Sequence, residues 1–259
     1  MANSSTLDRR DGRRDDEPRP LQLTLDFVKY PEGSVLARAG DTVVVCNVTV
    51  EGRVPPFLRD TGEGWLTSEY AMLPRATEER SPRESTRGSI SGRSAEIQRL
   101  IGRSLRASLD MGSLGERTLV VDCDVLQADG GTRTTAITGA FVAVVLALLH
   151  LKEQKALPAW PVRDQLAAVS VGIVAGRPLL DLAYDEDSRA GVDLNLIATA
   201  RKGIVEVQGT AEREPFSRRD LDRLLDLAET GLERAFAAQR SVLDHRLEKA
   251  GLKSLVAEK

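Results

Sequence analysis

Two glycines followed by Thr132-Arg133-Thr134 are the residues in this 259-residue chain best suited to grip an anion. In the run Asp129-Gly130-Gly131-Thr132-Arg133-Thr134 the glycines carry no side chain, so the backbone is open to close approach. An apolar stretch starts at once, with Ala136, Ile137, Ala140, Phe141, Val144, Val145 and Leu148 at helical spacing. The first amides of such a helix are unpaired and carry the positive end of its dipole. Thr132 or Thr134 is placed to cap it, and the planar fork of Arg133 matches phosphate oxygens. The same run also reads as a Gly-Gly turn with a threonine cap and a solvated arginine. No Gly-Lys-Ser/Thr of a nucleotide-gripping P-loop occurs, so the anion suited to the run is free phosphate or a single phosphoryl group.

A second candidate is acidic. Asp185-Glu186-Asp187 lies in a predicted turn, and Asp193 opens a predicted strand six residues on. Alternation along Val192-Asp193-Leu194-Asn195-Leu196 sends Val192, Leu194 and Leu196 to the core and Asp193 to the other face. A sharp turn would bring Asp187 back beside Asp193. Adjacent carboxylates repel unless a cation or a proton joins them. Two such oxygens with substrate phosphates make a Mg²⁺ site, whereas an acidic turn beside one satisfied strand aspartate is the plainer alternative.

The third feature is arginine. Of 36 basic residues 29 are arginine, and eight of these lie between Arg75 and Arg106 against four glutamates, a local balance of +4. Such a stretch suits a phosphate backbone and equally describes a solvated face. Aromatic residues are only 4% of the chain, which argues against recognition dominated by base stacking. Cys46 and Cys123 sit in apolar, strand-like runs and read as buried free thiols, while His150 and His245 are isolated, so no zinc ligand set is present. No apolar signal region and no unbroken run of 18 apolar residues occurs, and the location expected is the cytoplasm, without a membrane partner.

The elements that must position these residues are those of an α+β fold with two lobes. Residues 1–17 hold four arginines and five acids and read as a disordered tail. Residues 18–153 form the predicted first lobe. It has strands over 21–50 and Trp65–Leu73, an arginine-bearing loop over 74–91, a helix over Ser94–Leu109, a strand over Thr118–Leu126, and the cradle with its helix to Glu153. Along that first helix Arg99, Arg103 and Arg106 share a face. Residues 154–245 form the predicted second lobe. Its strands are Ala167–Val174, Leu179–Tyr184, Val192–Thr199 and Ile204–Gly209, and an amphipathic helix runs from Ser217 to Gln239 or beyond. Residues 246–259 complete the chain as a C-terminal tail.

Taken together, the motifs resemble the ribonuclease PH family, phosphate-dependent 3′-to-5′ exoribonucleases of transfer RNA 3′ ends. The likeness starts at Arg10-Asp11-Gly12-Arg13. It continues through Gly64-Trp65-Leu66-Thr67-Ser68-Glu69-Tyr70, Met72-Leu73-Pro74-Arg75-Ala76-Thr77 and Gly92-Arg93. It then covers Glu96 to Arg106, Gly130 to Thr134 and Asp185 to Asn195, ending near Gln239. The resemblance implies a ribosomal-S5-like βαβα first lobe, a smaller α+β second lobe, and a homohexamer built as a trimer of dimers. It implies phosphate held by Arg93 with Gly131, Thr132 and Arg133, and catalysis by Asp187 and Asp193. It implies Mg²⁺ near Asp187 and Asp193, with Asp185 contributing. Arg75, Arg80 and Arg83 match arginines that engage the transfer RNA acceptor stem. Arg99, with Arg103, would guide the 3′ end or hold a dimer. Nucleoside 5′-diphosphates would be released, and nucleotides added in the reverse direction. Thr135, Leu194 and Asp185 depart from the family pattern. The alternatives are a non-catalytic RNA-binding ring subunit of an exosome-like assembly, a processive polynucleotide phosphorylase and a hydrolytic nuclease.

Overall fold

The computed structural model describes residues 9–256. Its first sheet has the order β1-β2-β3-β5-β4. The strands are β1 (Leu21–Leu25), β2 (Gly33–Ala39), β3 (Thr42–Glu51), β4 (Trp65–Met72) and β5 (Thr118–Gln127). All neighbours are antiparallel except β4 and β5. Between those two run α1 (Glu84–Arg87), α2 (Gly92–Ala107) and α3 (Met111–Leu114). With α4 (Thr132–Glu153) following β5, the lobe contains the β-α-β-α run expected of it. The second sheet has the order β7-β6-β8-β9, from β6 (Leu166–Val174), β7 (Arg177–Leu180), β8 (Val192–Thr199) and β9 (Ile204–Ala211). A single turn, α5 (Tyr184–Asp187), joins β7 to β8, and α6 (Arg218–Lys249) closes the chain.

Layering follows from the apolar pattern. Helix α4 is apolar all round because it lies between the two sheets, against β2, β3 and β5 on one side and β6 on the other. Phe141, Ile137 and Leu148 are fully buried there. By length and composition α4 could cross a membrane, but 94% of its apolar window is buried in the protein, which makes it a core helix. Strand β8 faces two ways. Val192, Leu194, Leu196 and Ala198 pack with Leu224, Ala228, Leu232 and Phe236 of α6, whereas Ile197 joins the core around α4. The alternation read from the sequence holds, and it turns Asp193 away from α6.

Several expectations are corrected. Residues 9–17 are not a disordered tail: Arg9 is buried, and the Leu180 amide donates to the Asp15 carbonyl at 2.8 Å. Residues 1–8 lie outside the described residues. The strand expected over Leu179–Tyr184 stops at Leu180. Asp181 there takes φ +56°, and Tyr184 begins α5. The long loop over 74–91 contains the short helix α1. The expected tail from 246 is also folded, since α6 reaches Lys249, Leu247 and Leu255 are buried, and Trp160 Nε1 donates to the Leu255 carbonyl at 2.7 Å.

Candidate active site

The start of α4 meets the second lobe beside α5 and the opening of β8. Gly131 is the N-cap of α4 in the left-handed region, and no side chain caps the helix. Neither threonine does what the sequence suggested. Thr134 Oγ1 donates back to the Gly131 carbonyl at 2.9 Å, and Thr132 Oγ1 accepts from the Tyr70 hydroxyl at 2.9 Å. The first amides of the helix therefore keep their positive end free of a side-chain cap. Gly130 also has a different reason for its identity. A Cβ on Gly130, at φ +72°, would sit 2.4 Å from the Leu182 carbonyl oxygen. The bare backbone here admits the second lobe, so the glycine pair is where the two lobes touch.

Arg133, the second helical residue, is half-buried and donates to Gln208 Oε1 on β9, whose amide in turn donates to Glu96 on α2. Arg93, at the start of α2, is exposed. Both arginines act electrostatically on Asp187 and Asp193, as does Glu212 in the opposite sense. Burial pushes the Asp187 carboxyl up, against the pull of Arg93 and Arg133. Burial, and then the charge of Asp187, push Asp193 up to about 6. Neither carboxylate has a hydrogen bond or salt bridge among the described residues, so the repulsion between them is offset only in part, by the charges of Arg93 and Arg133. All four groups line one cleft of about 2380 Å³ that draws on both lobes.

Asp185 does not complete this pair. Its carboxylate is held by Arg189 at 3.3 Å, and among the described residues no cluster of three or more His, Cys, Asp or Glu is arranged around a metal position. Of the three aspartates, Asp187 and Asp193 are thus the two without a partner among the described residues. Two hard, partly desolvated oxygens facing an anion site suit Mg²⁺, which takes few protein ligands and completes its shell with water and phosphate oxygens.

The arginine face divides in the same manner. Arg75, Arg80 and Arg83 are exposed and form no salt bridge among the described residues, and Arg99 is exposed on α2. Arg103 instead pairs with Glu206 of β9 at 2.8 Å. Arg106 lies 4.6 Å over the Trp65 ring and donates to the Leu66 carbonyl at 2.9 Å. Those last two are structural within the chain. Sequence reasoning missed Tyr70, Gln208 and the buried arginines Arg9, Arg13 and Arg19. The only signal for the last three was the motif Arg10-Asp11-Gly12-Arg13, which carried no role.

A family model described as "3′ exoribonuclease family, domain 1" matches residues 17–150, and its domain 2 matches residues 164–231. The chain belongs to this family of 3′ exoribonucleases. Within it, ribonuclease PH of Bacillus subtilis (strain 168) is 56% identical over 240 residues, covering 92% of this chain and 98% of its own. Ribonuclease PH of Syntrophomonas wolfei is 54% identical over 237 residues, covering 92% and 99%. Among solved structures, the Archaeoglobus fulgidus exosome with RNA bound to the active site matches with a TM-score of 0.72 at 23% identity, covering 92% of this chain and 93% of that one. Rice Rrp46 matches with a TM-score of 0.69 at 19% identity, covering 94% and 100%. The exosome likenesses show the fold, while identities above half tie the chain to ribonuclease PH, so the exosome-like subunit alternative is disfavoured. The chain is a phosphorolytic 3′-to-5′ exoribonuclease.

Proposed function

We propose that the chain trims transfer RNA 3′ ends by phosphorolysis in the cleft between its lobes, with Arg93, Gly131, Thr132 and Arg133 as the phosphate site. The observation that supports this reading is a single juxtaposition. Two arginines and an uncapped helix start share one cleft with two unpaired carboxylates, Asp187 and Asp193. Phosphorolysis needs two anions, phosphate and the RNA backbone, brought within bonding distance. Arg133 and Arg93 offset that repulsion, and the amides of α4 orient the attacking oxygen. An oxygen of phosphate bonds to the last phosphorus of the RNA, and the bond from that phosphorus to the preceding 3′-oxygen breaks. A nucleoside 5′-diphosphate leaves, and the RNA ends one nucleotide shorter. The 3′-oxygen gains a proton, which Asp187 or Asp193 would supply as the alternative to holding a metal ion. Asp187 and Asp193 would hold Mg²⁺, which when bound supplies charge stabilisation at the phosphoryl oxygens. The reverse reaction, adding nucleotides from nucleoside diphosphates, follows because the bonds exchanged are of similar energy.

Arg75, Arg80, Arg83 and Arg99 are exposed outside the cleft and make no ion pair among the described residues, which suits the acceptor stem of a transfer RNA. The likeness to ring-forming exosome chains supports a homohexamer. Cytoplasmic location accords with the bacterial relatives. The test is to incubate the protein with a 3′-extended transfer RNA and Mg²⁺, with and without inorganic phosphate. Nucleoside diphosphates released only with phosphate support the reading; nucleoside monophosphates released without it overturn it in favour of hydrolysis.

A further inference from the structure

The segment from Arg9 to Arg19 is tied into both halves of the cleft by buried ion pairs. The Arg9 side chain is 1% exposed. Its Nε and Nη2 donate to the two Glu186 oxygens at 2.7 and 2.8 Å. Its guanidinium also donates to the Leu180 and Asp181 carbonyls at 2.9 and 2.8 Å. Glu186 Oε2 accepts from the Ala183 amide at 2.9 Å, so this carboxylate fixes the start of α5. The next residue is Asp187. At the other end of the segment, Arg19 donates through Nε and Nη2 to the two Asp181 oxygens at 2.9 and 2.7 Å. It also donates to the carbonyls of Asp129 and, at 3.3 Å, Gly130, which lead into the cradle. Asp129 in turn accepts from the Tyr184 amide at 3.2 Å, bridging the cradle to α5. Arg13 lies between them, 3.4 Å from Asp181 and 3.8 Å from Glu186.

Burying charged pairs contributes little net stability, because desolvation offsets their attraction, but a two-pronged arginine–carboxylate pair fixes orientation. Here the orientation fixed is that of two segments from different lobes, each bearing half of the reaction site. We propose that Arg9 and Arg19 are positioning residues. The segment they anchor acts as a strap that sets the register between the Gly130-Gly131 cradle and the turn bearing Asp187. Arg9 acts through Glu186 on Asp187, and Arg19 acts through Asp129 and Gly130 on the phosphate site. This rests on the reading of Asp187 and Arg133 given above.

The division of labour makes the strap testable. Arg9→Lys keeps a buried charge but loses the two-pronged grip. It should lower kcat about tenfold or more while leaving the KM for phosphate within about twofold, since misplacing a catalytic group by about 1 Å is that costly. Arg19→Lys should do the opposite first, raising the KM for phosphate about tenfold or more. Arg14→Ala, on the same segment but exposed and paired only with Asp16, should change neither. Melting and gel filtration establish that each variant is folded. If Arg9→Lys fails to fold, Glu186→Gln carries the same expectation for kcat, and an unchanged kcat in that variant overturns the strap. Folded variants that lose kcat and KM together, or lose neither, also overturn it. Asp187→Asn and Arg133→Ala are measured alongside. If these two retain full phosphorolysis, the site reading itself fails and the strap falls with it. If they are inactive while the Arg9 and Arg19 variants are normal, only the strap is refuted.

Discussion

Asp193 carries its carboxylate into a place where burial and the neighbouring Asp187 both oppose the charge, so its carboxyl titrates at about 6 instead of 3.8. The sign of the consequence is fixed. The folded state binds this proton more tightly than the unfolded chain does, so stability is lost as pH rises from the unfolded value through the folded one. In the metal-free protein Asp193→Asn should therefore stabilise the fold at pH 7, on the order of 2 kcal/mol. The melting difference from the wild type should shrink as the pH is lowered to about 4, below which the wild-type carboxyl is protonated in both states. The same variant should lose phosphorolysis. A variant no more stable than the parent at pH 7 would mean that the two carboxylates are compensated within the chain. Arg133→Ala should raise the KM for phosphate about tenfold or more, the loss of one charge-assisted fork, with the fold retained. Steady-state kinetics across a phosphate series checks it, and an unchanged KM would remove Arg133 from the phosphate site. The placement of Arg133 and the aspartates was readable from sequence because their signals are local: a glycine pair at a helix start and an alternating strand. The ion pair of Asp185 was not readable, because a run of three acids does not reveal that the residue four positions on, Arg189, pairs with one of them.

Gly130 shows how elements meet. With φ at +72° and the Leu182 carbonyl where a Cβ would go, Gly130→Ala must separate α4's start from the second lobe. It should cost about 1–3 kcal/mol of stability by melting and reduce activity as well; normal activity in the alanine variant would show that the cradle tolerates lobe separation. The loop over 73–83 carries exposed Arg75, Arg80 and Arg83, and Arg80→Ala should weaken transfer RNA binding and reduce the slope of log affinity against log salt by about one. Filter binding over a salt series measures both, and an unaltered slope would exclude Arg80 as a phosphate contact. Most elements were readable from sequence, since β3, β5, β8 and α2 carry clear periodicity. Two failures share a cause. The strap over 9–19 has the composition of a disordered tail, and its order comes from partners more than 160 residues away, Asp181 and Glu186. The strand after the second-lobe hairpin ends early because Asp181, buried against Arg19, takes a left-handed backbone that pairing does not allow. No local pattern records either contact.

The molecule as a whole is two sheets enclosing one apolar helix, and its cleft forms where that helix begins, at the boundary between lobes. This placement explains why no single lobe contains the site: the arginines come from α2 and α4, the carboxylates from α5 and β8. The second sheet also presents exposed Ile204 and Val207 on β9. Sedimentation should give a mass near six times 28.2 kDa, and a stable monomer at micromolar concentration would contradict the hexamer. In the proposed reaction, phosphate held at the start of α4 attacks the RNA facing Asp187 and Asp193. The measurement that tests it most directly follows radiolabelled inorganic phosphate into product during trimming of a 3′-extended transfer RNA. Label should appear in the β-phosphate of the released nucleoside diphosphates, be lost in Asp187→Asn, and fall in Arg133→Ala at phosphate concentrations below its raised KM. Unlabelled nucleoside monophosphates, or labelled diphosphates formed at full rate by either variant at such phosphate concentrations, would contradict it.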